Sequence, residues 1–196
     1  MKALIIVDVQ NDFLAGGALE VPQGDEIIEV INKIQSNYAI VVATQDWHPA
    51  DHKSFASMHP EHNLFDTIEW NGHPQVLWPN HCVQGTLGAE MSSLLNSHPI
   101  EAIFRKGMHK EIDSYSGFFD NHKLRNTGMH GYLQDKGVTE VHICGLAADY
   151  CVFFTAMDAL DLGYKTVILS KATKAIDKDA YRSKKEHYLQ KGGLFI

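Results

Sequence analysis

Short apolar runs punctuate the chain at Ala3–Val9, Ala39–Ala43, Ala102–Phe104, Val141–Leu146, Thr166–Leu169 and Leu194–Ile196. Most are continuous rather than alternating, the pattern of strands buried on both faces of a parallel sheet. Helical patterns lie between them. Gly24–Ser36 sets Ile27, Ile31 and Ile34 on one stripe with Ile28 beside it. Ala89–Asn96 predicts a shorter helix. Cys151–Leu162 is apolar along much of its length and stops at Gly163, a glycine suited to a helix C-terminus. Asp177–Gln190 is charged and predicts an outer helix. Alternation of strand and helix predicts a three-layer α/β/α fold on a mostly parallel sheet of about six strands. Trp47–Gly88 departs from this rhythm: it is rich in His, Pro, Asn and Gly with little periodicity, and a long irregular stretch of that kind is usually functional.

Composition narrows the classes. The 196 residues suit one domain spanning 1–196. With 17 basic and 24 acidic residues the net charge is −7, a poor match for a nucleic-acid backbone. No apolar stretch approaches a membrane span, and Met1–Val7 meets Asp8 too early for a secretory leader. Three widely spaced cysteines argue for a reducing, cytoplasmic setting. Twelve histidines without a tag-like run predict that some have specific work.

In an open α/β sheet ligands bind beyond the carboxyl ends of the strands, so the residues at those ends matter most. Asp8 follows the first run, Thr44-Gln45-Asp46-Trp47-His48 the second, Arg105-Lys106-Gly107 the third and Gly145-Leu146-Ala147-Ala148-Asp149-Tyr150-Cys151 the fourth. A lone cysteine is more often an inert core residue. Cys151, however, stands between a strand and a predicted helix start, where helix amides and a nearby cation favour thiolate and backbone N–H groups can hold an oxyanion. Asp8 is expensive to bury unless paired, and beside a thiol it can accept the thiol proton. Lys106 would favour the thiolate and steady Asp8; taken alone it would be an ordinary surface lysine.

Asp46 and His48, at i and i+2, point the same way on an extended chain. His81 supplies a third donor, and three protein ligands with open positions describe a working rather than a closed structural metal site. The set suits Zn²⁺, Fe²⁺ or Mn²⁺ without choosing among them. His52 is a candidate fourth ligand or holder of a neighbouring water. Phe13, Trp78 and Tyr115 offer aromatic walls for a flat ligand, although each singly is as well explained by core packing.

Together these segments resemble the nicotinamidase/pyrazinamidase family of isochorismatase-like cysteine hydrolases. The resemblance runs along essentially the whole chain. It is carried by Ile6–Phe13 with Gly16–Leu19, Thr44–Pro49, Asp51–Phe55, Trp78–Val83, Lys106-Gly107, Asp113–Phe118 and Gly145–Val152. It implies an isochorismatase-like (Rossmann-like) fold and a triad of nucleophile Cys151, proton acceptor Asp8 and Lys106. It also implies a cis peptide at Leu146–Ala147 and an oxyanion hole from the amides of Ala147 and Cys151. Asp46, His48 and His81 match the ligands of one divalent metal, with zinc the first choice, and Phe13, Trp78 and Tyr115 match the ring-stacking positions. The expected reaction is hydrolysis of nicotinamide, and of pyrazinamide, to the acid and ammonia in NAD salvage, with a homo-oligomer allowed. Ala148 departs from the threonine common in that family, without removing a catalytic atom. The alternatives are a relative acting on another amide or a carbamoyl compound, and a non-catalytic metal- or pyridine-binding protein.

Overall fold

Alternate residues of the apolar runs face opposite ways, and this sorts the core in two. Leu4, Ile6, Val41, Ala43, Cys144, Leu146, Val167 and Leu169 line one face of the sheet; Ala3, Ile5, Val7, Ile40, Val42, Val141, Ile143 and Ile168 line the other. The computed structural model describes residues 1–196. Its main sheet comprises β1 (Lys2–Val7), β2 (Ile40–Asp46), β5 (Ala102–Lys106), β6 (Glu140–Leu146), β7 (Lys165–Lys174) and β8 (Leu194–Phe195). The strands lie in the order β5-β2-β1-β6-β7-β8, and every neighbouring pair is parallel. The predicted three-layer fold is therefore present.

Helix α1 (Glu26–Ile34) buries Ile27, Ile28 and Ile31 on the first face. Each such burial contributes about 1.5–3 kcal/mol. The second face carries α2 (Met129–Asp135), α3 (Cys151–Asp161) and α4 (Lys178–Gln190) through Leu133, Val152, Ala156, Ala159 and Tyr188. Asp177 caps α4 by accepting the amides of Asp179 and Ala180, as its place before the charged run suggests. Helix α2 has only 7 residues, too few for a clear periodic signal.

Two expectations need correction. Ala89–Asn96 is not a helix. Its backbone instead meets the segment after β1: Asn11 N–H donates to Glu90 O and Ser92 N–H to Val9 O, while Gln10 bridges Met91. The groups a helix would pair internally are thus taken across the chain. Nor is Trp47–Gly88 wholly irregular. It holds an antiparallel hairpin of β3 (Thr67–Trp70) and β4 (His73–Val76). Asn71 and Gly72 turn it with φ of 53° and 79°, the two-residue turn that Asn-Gly signals.

The strand order reverses between β1 and β6, so their carboxyl ends open a crevice at the sheet's centre. Gly145 lets the two strands approach: its φ is +108°, and a Cβ there would lie 2.0 Å from Val7 O. Asp8 stands on one lip of this crevice and the turn leading to Cys151 on the other.

Candidate active site

Lys106, the last residue of β5, reaches across two strand ends. Its Nζ lies 2.8 Å from Asp8 Oδ2, beside Asp46 Oδ1, 3.0 Å from Ser114 O and 3.3 Å from Cys151 Sγ. Neither its side chain nor that of Asp8 is exposed. Thr44 Oγ1 donates to Asp8 Oδ1 at 2.6 Å. Asp8 Oδ2 meets the ammonium off-line and accepts no hydrogen bond. The three residues of the expected triad are thus brought together, although 98 residues separate Asp8 from Lys106 and 45 separate Lys106 from Cys151.

Charge in this cluster is set by burial and by the lysine. Burial would strip Lys106 of its proton, but Asp46 and Asp8 outweigh it and hold its pKa well above the usual lysine value. Burial raises the pKa of Asp8, with Lys106 pulling the other way. Burial, helped by the charges of Asp8 and Asp46, pushes the Cys151 thiol above its usual value, with Lys106 pulling the other way. Thiol and carboxylate are thus both shifted upward, beside one ammonium that opposes the shift in each.

The β6–α3 turn carries the nucleophile candidate. The Leu146–Ala147 peptide is cis. The amides of Ala148, Tyr150 and Val152 donate to backbone carbonyls, whereas those of Ala147 and Cys151 have no acceptor. Ala148 is fully buried and its amide is bonded to Lys174 O, so the turn is held without a hydroxyl at this position.

Beside the lysine, one carboxylate oxygen and two imidazole nitrogens converge. Asp46 Oδ2 lies 3.6 Å from His48 Nε2 and 3.9 Å from His81 Nε2, and one ligand atom from each of the three falls within 4.8 Å of the others. The donor set fits a divalent cation. His48 Nδ1 is bonded to Gly107 O and His81 Nδ1 to Pro79 O, which leaves both Nε2 lone pairs facing the cluster. Gly107 is required here, since a Cβ would lie 2.3 Å from the His48 ring. Burial and His48 push His81 down to about 4, toward the neutral imidazole that ligation needs. His52 packs on His48 with ring centroids 4.4 Å apart, but groups with His48 and Asp113 rather than with Asp46. Its Nδ1 accepts the Ser54 amide, and its Nε2 is buried with no hydrogen-bond partner.

Phe13, Trp78 and Tyr115 do line one small cavity, of about 20 Å³, with Asp46, His81, Ala147 and Cys151. Trp78 Nε1 donates to Tyr115 Oη at 3.2 Å. Sequence reasoning missed Tyr150, whose ring stands edge-on to Trp78 with centroids 4.8 Å apart. Its position beside Cys151 was the available signal. It also missed Gln10, whose amide clasps Asp46 by donating to Asp46 O and accepting from Asp46 N, each at 2.8 Å. A larger cavity of about 510 Å³ lies on the far side of Tyr115 and holds none of the triad.

The chain matches the isochorismatase domain family over residues 2–196. It is 45% identical over 180 residues to the nicotinamidase of Escherichia coli (strain K12), covering 90% of this chain and 84% of that one. It superimposes on an Acinetobacter baumanii nicotinamidase/pyrazinamidase with a TM-score of 0.97 at 44% identity, covering 100% of this chain and 95% of that one. A pyrazinamidase of Pyrococcus horikoshii in complex with zinc matches with a TM-score of 0.80 at 36% identity, covering 100% and 98% respectively.

Proposed function

The chain belongs to the isochorismatase family, and from that premise we propose that it is a nicotinamidase that forms a thioester on Cys151. The observation that carries the reading is the position of Lys106 Nζ, 2.8 Å from Asp8 and 3.3 Å from Cys151, beside the Asp46/His48/His81 cluster. Relatives named nicotinamidase at up to 48% identity support the substrate.

Nicotinamide lies with its ring among Phe13, Trp78, Tyr115 and Tyr150, which presents the carboxamide carbon to Sγ and makes attack an oriented, intramolecular event. Asp8 Oδ2 takes the thiol proton, and its raised pKa suits that transfer. Sulfur bonds to the amide carbon while the carbonyl π pair moves onto oxygen. The free amides of Ala147 and Cys151 stabilise that oxyanion. Asp8 then passes its proton to the amide nitrogen, the C–N bond breaks and ammonia leaves. Water, deprotonated by Asp8, cleaves the thioester, returning the proton to sulfur and releasing nicotinate for NAD salvage. Lys106 keeps Asp8 in place and neutralises the cluster throughout. Asp46, His48 and His81 would hold a divalent metal, zinc in our assignment, which would supply a Lewis-acidic anchor for the ring nitrogen. Pyrazinamide, with a nitrogen at the same ring position, is turned over by the same steps.

The direct test is ammonia release from nicotinamide by metal-replete protein. Release supports the reading; none from properly loaded protein rejects it. His48→Ala should weaken metal binding at least ~100-fold, since loss of mere outer partners already costs 10–100-fold. Elemental analysis after dialysis checks this, and an unchanged metal content would remove His48 from the ligand set.

A further inference from the structure

Lys184 projects from α4 onto the turn that carries the nucleophile, yet no motif or functional reading includes it. It is half-buried, and no carboxylate lies within ion-pair distance of it. Its Nζ instead donates to the backbone carbonyl of Asp149 at 2.5 Å and sits 4.1 Å above the Tyr150 ring. The Phe154 ring lies 5.4 Å from the same ammonium. A half-desolvated ammonium is costly without acceptors, and here its acceptors are one peptide carbonyl and the aromatic faces around it.

The same turn is tied a second time. Asp149 is fully buried, and its two carboxylate oxygens accept the amides of Ile176 and Asp177 at 3.0 and 2.9 Å. Asp149, Tyr150 and Cys151 are consecutive. A main-chain bond at Asp149 and a ring contact at Tyr150 therefore hold the two residues immediately before the one whose amide and thiol face the cavity. At Tyr150 the backbone is neither helical nor extended, with φ −125° and ψ −97°, while its amide donates to Ala147 O and its carbonyl accepts the Phe154 amide. The contacts from Lys184 and from the Ile176 and Asp177 amides add to these local bonds.

We propose that Lys184 is a positioning residue for the hydrolysis, its ammonium fixing the Asp149–Cys151 turn so that the Cys151 amide and thiol keep their places at the reacting carbon. The inference rests on the nicotinamidase reading for its substrate, but part of its test needs no substrate. Lys184→Met keeps the aliphatic stem and removes the cation. Lys184→Arg keeps a cation that can reach both the carbonyl and the ring.

Steady-state kinetics on nicotinamide and hydrogen exchange of the 147–152 backbone are measured for wild type and both variants, with thermal melts to verify folding. In Lys184→Met, kcat should fall roughly 10- to 100-fold, as a small misplacement of reacting groups does, while KM moves much less. The 147–152 amides should exchange about tenfold faster, and Lys184→Arg should recover most of both losses. A folded Lys184→Met with wild-type exchange in this turn overturns the proposal. So does an arginine variant as impaired as the methionine one. If Lys184→Met does not fold, Lys184→Gln replaces it with the same expected outcomes. Inactive wild type would sink the function reading alone, because the exchange measurement still decides the role of Lys184.

Discussion

Replacing Cys151 by alanine removes ammonia release from nicotinamide, with kcat falling by roughly 10⁴-fold or more. The size of the loss follows from what remains. The other cavity-facing groups are the metal-site donors Asp46 and His81, Asp113, and aromatic or aliphatic walls, none with a sulfur or free amine to attack a carbon. Asp8 and Lys106 survive the change, but without Sγ they have only water to activate, and water cannot form the thioester that divides the reaction into two easier steps. The variant should keep its metal, because Cys151 is not in the Asp46/His48/His81 set. It should also still bind nicotinate, because the ring walls are untouched. Ammonia assay, elemental analysis and product titration read these three outcomes separately. Substantial turnover by the variant would place the nucleophile elsewhere.

Lys106→Met should cost both the reaction and much of the fold's margin. The methionine fills nearly the same space without charge, leaving Asp8 and Asp46 buried with no cation between them. Removing one partner of a buried ion pair typically destabilises by about 3–5 kcal/mol, a large share of a domain's total stability. The deficit should also depend on pH in a set direction. Burial already raises Asp8 above an unfolded carboxylate, and loss of Lys106 raises it further. The folded variant therefore binds more protons than the unfolded chain, so it gains stability relative to wild type as pH falls and loses it as pH rises. Urea unfolding at several pH values reads both effects. A variant as stable as wild type, or a deficit that grows on acidification, would contradict the charge assignment.

Asp8, Asp46, Lys106 and Cys151 could be read from the sequence because each stands next to an apolar run. Strand ends in a parallel sheet converge whatever loops join them, so adjacency to a run translates directly into place. His81 was legible only as a possible third donor, since it follows no strand of the main sheet. The helix expected at Ala89–Asn96 failed because local propensity does not register a competing partner: Val9 and Asn11, some 80 residues away, take its backbone. The hairpin at Thr67–Val76 carried its Asn-Gly signal openly, but the surrounding polar residues masked it. The surroundings of the Cys151 thiol were half legible. Helix start and lysine were visible, whereas burial and the nearness of two carboxylates are properties of the folded cluster. Lys184 was illegible for the same reason, being one lysine among several on a charged helix until α4 is laid against the turn.

The lining of the catalytic cavity sets a condition on turnover. Its wall is built from side chains, Phe13, Leu19, Trp78, Tyr115, Tyr150 and Ile176 among them. A pyridine ring bearing a carboxamide enters, and the acid leaves, as those side chains shift. Tyr115 lines both this cavity and the neighbouring one of about 510 Å³, so its side chain stands between the two. Where such a motion is slower than bond cleavage it becomes the pacemaker. In that regime the electronic character of the amide would hardly alter the rate, and the bulk of the ring would govern it.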